Sequence, residues 1–355
     1  MGLGKYYDEL MGLESCAERA KNSGLPVVVY GMGNGGEKVF SWCRENLIAV
    51  EGVFASDDFV RGQEFLGHRV ERYSDIKARL GKFLVLLAFG TQLEEVMQRI
   101  DGISREQLLL APDVPVAGGE AFSKQGFFDR FERAERVFEL LCDERSRQVF
   151  LSLIKYKLTG ELGYLRESFC DEKKLFDFGS DEVCVDLGAY NGDTVLGFVR
   201  STGGKYKKII ALEPEKRNFQ KCVRNCMGLD DVRLINAAGW SHDTVLSFNG
   251  GSGRQAKLEG SGRSIIAARS VDSVLSGKGC SYIKYDVEGA DIPALEGSRD
   301  TIRRFAPKLL CSVYHRCYDL IDVPLYVDSI RHGYRYRLIQ ERYYPAWETL
   351  LAADN

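Results

Sequence analysis

A loop that carries acidic residues and glycines follows the apolar stretch 182–187. It runs from Asp186 to Asp193 with the sequence DLGAYNGD, so its spacing is D-x-G-x-x-x-G. Unlike in a dinucleotide fingerprint, Asp186 lies inside the strand end and precedes the first glycine. Such a loop suits a positively charged nucleoside, because it offers carboxylate and carbonyl oxygens together with close backbone approach. The alternative is that Asp186 only caps the following helix.

Polar residues at the ends of the next two predicted strands extend this interpretation. Glu213 ends the stretch 207–214, where a carboxylate can accept both hydroxyl groups of a ribose. The third strand ends in Asn236 and Ala237, a polar side chain beside a small one, which leaves room for an adenine. Pro214 is also explained as a simple strand stop. Together these features predict an S-adenosylmethionine site formed by Asp186, Gly188, Ala189, Tyr190, Gly192, Asp193, Thr194, Glu213, Pro214, Asn236, Ala237 and Asp286.

Candidate catalytic residues lie at the ends of two later strands. KYDVEG contains Lys284, Asp286 and Glu288, which share one face of a strand unless the chain turns before Glu288. An alcohol oxygen must lose its proton to become a good nucleophile. We therefore predict His315 as the general base and Asp319 as the carboxylate that orients it. Asp286 and Glu288 are the other predicted catalytic residues.

Two other interpretations of these residues stay open. In one, Lys284 and Glu288 form an ordinary ion pair and His315 is a buried structural histidine. In the other, Asp286 binds Mg²⁺ together with Glu288 or Asp319, because this ion prefers oxygen ligands. The spacing does not decide between them, and the sequence assigns no metal ligands.

A second glycine loop lies nearer the N-terminus, after the apolar stretch 26–30. Gly31, Gly33 and Gly36 fit G-x-G-x-x-G between a strand and a helix, and Asp57 follows the next strand. This arrangement is typical of nucleotide binding, with a pyrophosphate at the helix N-terminus and an acid on the ribose. The alternative is that the glycines only allow close packing of strand and helix. No acid–base pair suited to hydride transfer follows the third strand.

Strands alternate with helical patterns in both halves of the chain, which predicts parallel sheets. The predicted strands are 26–30, 49–56, 82–90, 182–190, 207–214, 232–240, 281–289 and 308–315. Residues 244–275 look like a hairpin or flap, and the C-terminal residues predict two antiparallel edge strands. We predict a Rossmann-like α/β domain at 1–117, a helical connector at 118–175 and a second α/β domain at 176–355.

The second half of the chain resembles the FkbM-type methyltransferases. The matching segments are VCVDLGAYNGDT, IIALEPEKRNFQKC, SVDSVL, YIKYDVEGADIPALEGS and PKLLCSVYHRCYDLIDVPLYV, in that order. The resemblance implies a class I (Rossmann-like) α/β methyltransferase that acts on hydroxyl groups of sugars or polyketides. It implies donor-site roles for Asp186, Gly188, Gly192 and Glu213, and active-site roles for Asp286 and Glu288. The long glycine-rich stretch 250–262 departs from the pattern and leaves the acceptor open.

The segment 51–76 of the first half resembles the N-terminal Rossmann-like domains of sugar-acetyltransferase and sugar-methyltransferase proteins. That resemblance implies binding of a nucleotide sugar or a carrier, or a purely architectural role. The leading hypothesis is an O-methyltransferase that acts on a sugar or sugar nucleotide. The alternatives are an oxidoreductase with an NAD(P)-binding module and a binding protein without catalytic activity.

Composition narrows the class of protein further. The 355 residues are 45% hydrophobic and 28% charged, which suffices for two globular domains. The net charge of -3 gives no general attraction to nucleic acid. The ten cysteines form no CxxC pair, so we expect reduced thiols and a cytoplasmic protein. We also expect no membrane span and no signal peptide. The oligomeric state stays open, with a homo-oligomer among the possibilities.

Overall fold

The computed structural model describes residues 2–170, 175–248 and 264–355. Its first sheet has the strand order β3-β4-β2-β1-β5-β6, and its strands are parallel except for the short β3. The strands are β1 (Val27–Tyr30), β2 (Val50–Ala55), β3 (Glu64–Phe65), β4 (His68–Arg72), β5 (Leu84–Leu87) and β6 (Leu108–Leu110). The helices around them are α1 (Tyr7–Gly12), α2 (Cys16–Asn22), α3 (Asn34–Glu45), α4 (Tyr73–Leu80) and α5 (Glu94–Glu106).

The middle of the chain is helical, as the amphipathic pattern predicts. It contains α6 (Lys124–Phe128), α7 (Phe131–Leu140), α8 (Glu144–Thr159) and α9 (Leu162–Ser168). Asp143 caps α8 by accepting a 2.7 Å hydrogen bond from the Ser146 amide, and Gly160 ends it in the left-handed conformation. Phe150 and Leu153 of α8 join one apolar core with residues of both flanking sheets. The helices therefore pack between the two sheets.

The second sheet has the order β15-β16-β14-β13-β7-β8-β9. Its strands are β7 (Val183–Leu187), β8 (Lys208–Leu212), β9 (Val232–Ile235), β13 (Tyr282–Tyr285), β14 (Lys308–Ser312), β15 (Arg335–Gln340) and β16 (Thr349–Asp354). The helices of this half are α10 (Asp193–Ser201), α11 (Lys216–Asn225), α12 (Val271–Leu275), α13 (Asp291–Glu296), α14 (Arg299–Phe305) and α15 (Asp319–Ile330). All neighbours run parallel except at β16, which is antiparallel to both β14 and β15. Of the two predicted edge strands, only β15 lies at the edge.

The predicted hairpin forms a small sheet of its own. The strands β11 (Thr244–Phe248) and β12 (Ser264–Arg269) pair antiparallel, and β10 (Ala238–Gly239) runs parallel to β12. The glycine-rich stretch 250–262 lies outside the described residues.

The predicted strands agree with the structure except at their carboxyl ends. The stretch 281–289, for example, contains a strand only at Tyr282–Tyr285. In the second half of the chain, the polar residues that follow the buried runs belong to loops, and these loops lie at one edge of the second sheet. The sheet therefore brings together the side chains that the sequence singles out.

Two further expectations concern the whole chain. Among the described residues, no helix is both long enough and apolar enough to cross a membrane. The ten cysteines are free thiols and most of them are buried. Burial raises the pKa of the Cys43 thiol to about 12, which keeps it protonated and unreactive.

Candidate active site

Gly188 is the point at which two loops of the second sheet meet. Its φ of +87° lies in the left-handed region, and its amide donates to the Leu212 carbonyl at 3.0 Å. A Cβ at Gly188 would lie 1.8 Å from the carbonyl oxygen of Asp286. Only glycine fits there, because the obstacle is main chain and the conformation is unfavourable for other residues. The loop after β7 is thus in direct contact with the loop after β13.

The second half of the same loop is also shaped by packing. Tyr190 and Gly192 both have positive φ, +47° and +90°. A Cβ at Gly192 would lie 3.0 Å from Sγ of Cys226 and 3.3 Å from Sγ of Cys222. Cys222 of α11 and Cys226, the residue that follows this helix, therefore pack beneath the loop. Asp193 then begins α10.

Asp186 and Lys284 form the charged centre of the site. Register pairs Lys284 of β13 with Asp186 of β7, and Nζ lies 3.4 Å from Oδ1 of Asp186 and 3.3 Å from Oδ2 of Asp286. Oδ2 of Asp186 accepts a hydrogen bond from the Thr194 hydroxyl, whereas its buried Oδ1 has only the longer ion-pair contact with Lys284 among the described residues. Burial opposes the charge on Lys284, but Asp186 and Asp286 together raise its pKa. The alternative in which Lys284 forms an ordinary ion pair with Glu288 does not account for its contacts with Asp186 and Asp286.

Glu213 ties the first two loops of the sheet together. Its carboxylate oxygens accept hydrogen bonds from the Tyr190 amide at 2.8 Å and the Glu215 amide at 2.9 Å. Burial nevertheless raises its pKa to about 7. The amide of Asn236 donates to the carbonyl oxygens of Glu213 and Pro214 at 2.8 Å and 3.0 Å. The sequence predicts the position of Asn236 but not this bracing of the β8 loop.

The catalytic edge consists of Asp286 and the residues that hold it. The Ser312 hydroxyl donates to Oδ1 of Asp286 at 3.1 Å, and Nε2 of His315 lies 3.2 Å from the same oxygen. One third of the Asp286 side chain, 33%, remains exposed. Lys284 and His315 outweigh the effect of burial and lower the pKa of Asp286. Asp286 is therefore an ionised carboxylate with one face toward the solvent.

His315 is fully buried, and carboxylates face both of its ring nitrogens. Nδ1 hydrogen-bonds Oδ2 of Asp291 at 3.0 Å. Burial disfavours the imidazolium, but Asp291 and Asp286 overcome this and raise the pKa of His315 well above its ordinary value. A histidine that is already protonated does not accept a proton. These contacts therefore favour His315 as a charged imidazolium and not as the predicted general base.

Asp291 is a functional candidate that the sequence reasoning missed. It begins α13 and is 2% exposed, and one of its oxygens has no hydrogen-bond partner. It occupies the orienting position on His315 that the sequence assigns to Asp319. Its place in the segment EGAD, just after the catalytic strand, is the signal that could have identified it.

Asp319 and Glu288 lie near this edge with different surroundings. Asp319 is buried and accepts a 2.7 Å hydrogen bond from the Arg316 amide. Burial and the neighbouring Asp291 raise its pKa to about 7. Among the described residues, Asp291, His315 and Asp319 offer ligand atoms within 4.8 Å of one another. Glu288 has a φ of +51°, so the chain turns before it and ends the shared strand face.

The N-terminal glycine loop has a different environment. A Cβ at Gly31 would lie 2.7 Å from the Phe89 ring, and one at Gly35 would lie 2.0 Å from the Ala88 carbonyl oxygen. One at Gly36 would lie 2.8 Å from Phe65. Gly33 alone among these has open space around it. Most glycines of this loop are thus accounted for by packing, while Asp57 lines a separate surface cavity of about 570 Å³.

The segment that leaves the first sheet reaches the catalytic edge. The Ala117 amide donates to the His315 carbonyl at 2.9 Å. Nε of Arg316 donates to the Gly289 carbonyl at 3.1 Å, and Ala117 packs against Gly289. The first part of the molecule therefore supports the backbone that carries His315.

Comparisons with known proteins concern the family and the fold of the chain. Residues 186–336 match the family model described as the methyltransferase FkbM domain. The whole chain is similar to the crystal structure of a methyltransferase FkbM from Methylobacillus flagellatus KT, with a TM-score of 0.71 and 19% identity. The match covers 99% of this chain and 96% of that one. At this identity the similarity shows the fold, which is the expected class I, Rossmann-like architecture.

Two further solved structures match about half of this chain. An rRNA methylase from Streptococcus thermophilus has a TM-score of 0.33 and 13% identity, and the match covers 50% of this chain and 89% of that one. Fibrillarin from Aeropyrum pernix, solved with natively bound S-adenosyl-L-methionine, has a TM-score of 0.33 and 11% identity, covering 52% and 70%. No curated protein matches the sequence.

Proposed function

We propose that the chain methylates a hydroxyl group of a sugar or sugar-like small molecule, with S-adenosylmethionine as the donor. Residues 186–336 match the methyltransferase FkbM domain, and the chain is a methyltransferase. The observation that carries the proposal is the contact between Gly188 and the Asp286 carbonyl. This contact joins the loop 186–193, which we call the donor loop, directly to the ionised and partly exposed carboxylate of Asp286.

The residues of the donor loop fit S-adenosylmethionine. Oδ1 of Asp186 has the Lys284 ammonium at 3.4 Å and no closer partner among the described residues, so lone pairs remain for a donor group of the ligand. Each carboxylate oxygen of Glu213 accepts one backbone amide hydrogen bond among the described residues, so lone pairs remain for ribose hydroxyl groups. Gly188 and Gly192 leave the loop without side chains that would block the ligand. Asp193 and Thr194 begin α10, whose N-terminus favours the ligand's carboxylate.

S-adenosylmethionine supplies a methyl group on sulfonium, so the acceptor oxygen bonds to the methyl carbon while the carbon–sulfur bond breaks and its electron pair stays on sulfur. Asp286 accepts the hydrogen bond of the acceptor hydroxyl, orients its oxygen and takes up the proton. A low pKa does not prevent this, because the oxygen becomes strongly acidic as its new bond forms. His315 and Lys284 keep Asp286 ionised until then.

The choice of acceptor rests on the motifs shared with the FkbM-type enzymes and on the chemistry of this edge. The exposed face of Asp286 offers hydrogen-bond acceptors to a polyhydroxylated ring. Glu288 lies two residues further along the same loop. Carboxylates of this kind suit a hydroxyl acceptor better than an anionic one.

Calorimetric titration of the full chain tests the donor. We expect S-adenosylhomocysteine to bind and NAD to give no heat. Tight NAD binding without S-adenosylhomocysteine binding would favour the oxidoreductase alternative. No heat with either ligand would favour a non-catalytic binding protein.

Incubation with S-adenosylmethionine and a panel of sugars and sugar nucleotides tests the acceptor. We expect mass spectrometry to show one added methyl group on at least one compound. Methylation found only on amine acceptors would contradict the hydroxyl class while leaving the donor intact.

A further inference from the structure

Lys284 contacts the loop 186–193 as well as the catalytic edge, so its charge acts beyond keeping Asp286 ionised. It is buried between the donor loop and the catalytic edge, with Nζ within 3.4 Å of Asp186, Asp286 and the Gly188 carbonyl oxygen. Sheet register places Lys284 beside Asp186 on the neighbouring strand. Asp286 lies two residues further and on the same face. The ammonium group therefore bridges the two carboxylates that border the proposed donor site.

The charge at this point matters because the donor changes charge during the reaction. S-adenosylmethionine carries one positive charge more than S-adenosylhomocysteine, since methyl transfer removes the sulfonium. Two uncompensated aspartates would attract the sulfonium strongly in a partly buried site. A site that stabilises the reactant more than the transition state lowers the catalytic rate. A buried cation next to both aspartates reduces that attraction.

We propose that Lys284 is a positioning residue that sets the charge of the donor site. Its positive charge keeps the site from binding the sulfonium of the reactant more strongly than the transition state, in which the sulfonium charge is being lost. The inference rests on the proposed function, since it assumes that the donor is S-adenosylmethionine. Lys284 acts through Asp186 and Asp286, whose carboxylates it contacts and holds fixed relative to each other.

Binding measurements without an acceptor test this role separately from activity. The dissociation constants of S-adenosylmethionine and S-adenosylhomocysteine are measured for the wild type and for Lys284→Gln. We expect the variant to shift the ratio of the two constants by at least about fivefold toward S-adenosylmethionine. Sinefungin, which has an amine in place of the sulfonium, should shift in the same direction. Lys284→Arg, which keeps the charge, should retain a ratio near that of the wild type.

The matched control is Lys308→Gln on the neighbouring strand β14. Lys308 also pairs with a buried carboxylate, Glu182 at 3.1 Å, but at the opposite end of the sheet. The Lys308→Gln variant should leave the ratio of the two dissociation constants unchanged. If Lys284→Gln weakens both ligands equally, Lys284 has only a structural role and the proposal is overturned.

A second variant keeps the test valid if Lys284→Gln does not fold. Asp286→Asn removes a negative charge beside Lys284, so the ratio should move the opposite way, toward S-adenosylhomocysteine. An unchanged ratio would contradict the charge argument. Failure of the wild type to bind either ligand would overturn the donor assignment itself, which distinguishes the two proposals.

Discussion

The molecule contains two loops of the same construction, each with glycines between a buried strand and a helix, and they differ in what surrounds them. At the N-terminal loop, Gly31 and Gly36 face aromatic rings and Gly35 faces a main-chain carbonyl. At the second loop, Gly188 faces the main chain of Asp286, and ionisable groups occupy the neighbouring strand ends.

The difference shows that a glycine pattern indicates close packing of the backbone and does not by itself indicate a ligand site. The N-terminal loop fits the dinucleotide fingerprint better, yet the strand end nearest to it carries Ala88 and Phe89. The second loop is less regular in sequence, yet it is bordered by Asp186, Lys284 and Glu213. Charges held at adjacent strand ends are therefore the stronger indication of a site.

The largest expected effect comes from adding one methyl group to each loop. Gly188 and Gly33 both have positive φ, +87° and +81°, but only Gly188 lacks space. We expect Gly188→Ala to lower the free energy of unfolding by about 4 kcal/mol and to abolish S-adenosylhomocysteine binding. Gly33→Ala should lower it by only about 1–2 kcal/mol, the effect of the conformation alone. Urea unfolding and calorimetry measure both quantities.

The comparison between the loops breaks if the two variants behave alike. Equal destabilisation would mean that the contact between Gly188 and Asp286 relaxes at little cost. Loss of S-adenosylhomocysteine binding in Gly33→Ala would mean that the donor binds at the N-terminal loop and not at the second loop.

The second prediction concerns the buried charges near the second loop. The pKa of His315 is raised above its ordinary 6.5, so its stabilisation is fully present below that pH and is lost as pH rises through the folded pKa. We expect His315→Gln to lower the free energy of unfolding by about 3 kcal/mol at about pH 6, and by less at about pH 9.

Phe89→Leu provides the control behind the N-terminal loop. Phe89 packs against Gly31 and does not titrate, so its effect on unfolding should be the same at both pH values. A constant difference between wild type and His315→Gln across this range would mean that His315 is neutral in the folded protein, and the general-base assignment would regain support.

The sequence predicts where eight of the strands lie along the chain, the two glycine loops and the positions of Asp186, Glu213 and Asp286, because these follow from buried apolar runs and the polar residues that end them. It does not predict that Asp291 pairs with His315, since the partner of a buried histidine depends on how α13 packs on the sheet. It also does not predict the interior position of β16, because hydrophobic alternation does not specify strand order.

The third prediction compares the acids that follow the second strand of each half. Glu213 is buried and accepts two main-chain hydrogen bonds, whereas Asp57 is exposed. In Glu213→Gln, an amide group replaces one of the two accepting oxygens and opposes a backbone amide. We expect S-adenosylhomocysteine binding to weaken about tenfold, and Asp57→Asn to leave it unchanged. A loss of NAD or nucleotide-sugar binding in Asp57→Asn would instead show that the first half has a ligand site.

The smallest expected effect arises at the second residue of the helix that follows each loop. This residue is Thr194 in α10, whose hydroxyl donates to Asp186, and Gly35 in α3, which has no side chain. Thr194→Val keeps the shape but removes the donor, so Asp186 loses a partner and S-adenosylhomocysteine binding should weaken by about threefold to tenfold. Thr202→Val is the control, because the Thr202 hydroxyl at the other end of α10 bonds only the Val199 carbonyl among the contacts described. Calorimetry that finds equal affinities for the two variants would mean that Thr194 does not position Asp186, and that the second loop depends on Lys284 alone for this purpose.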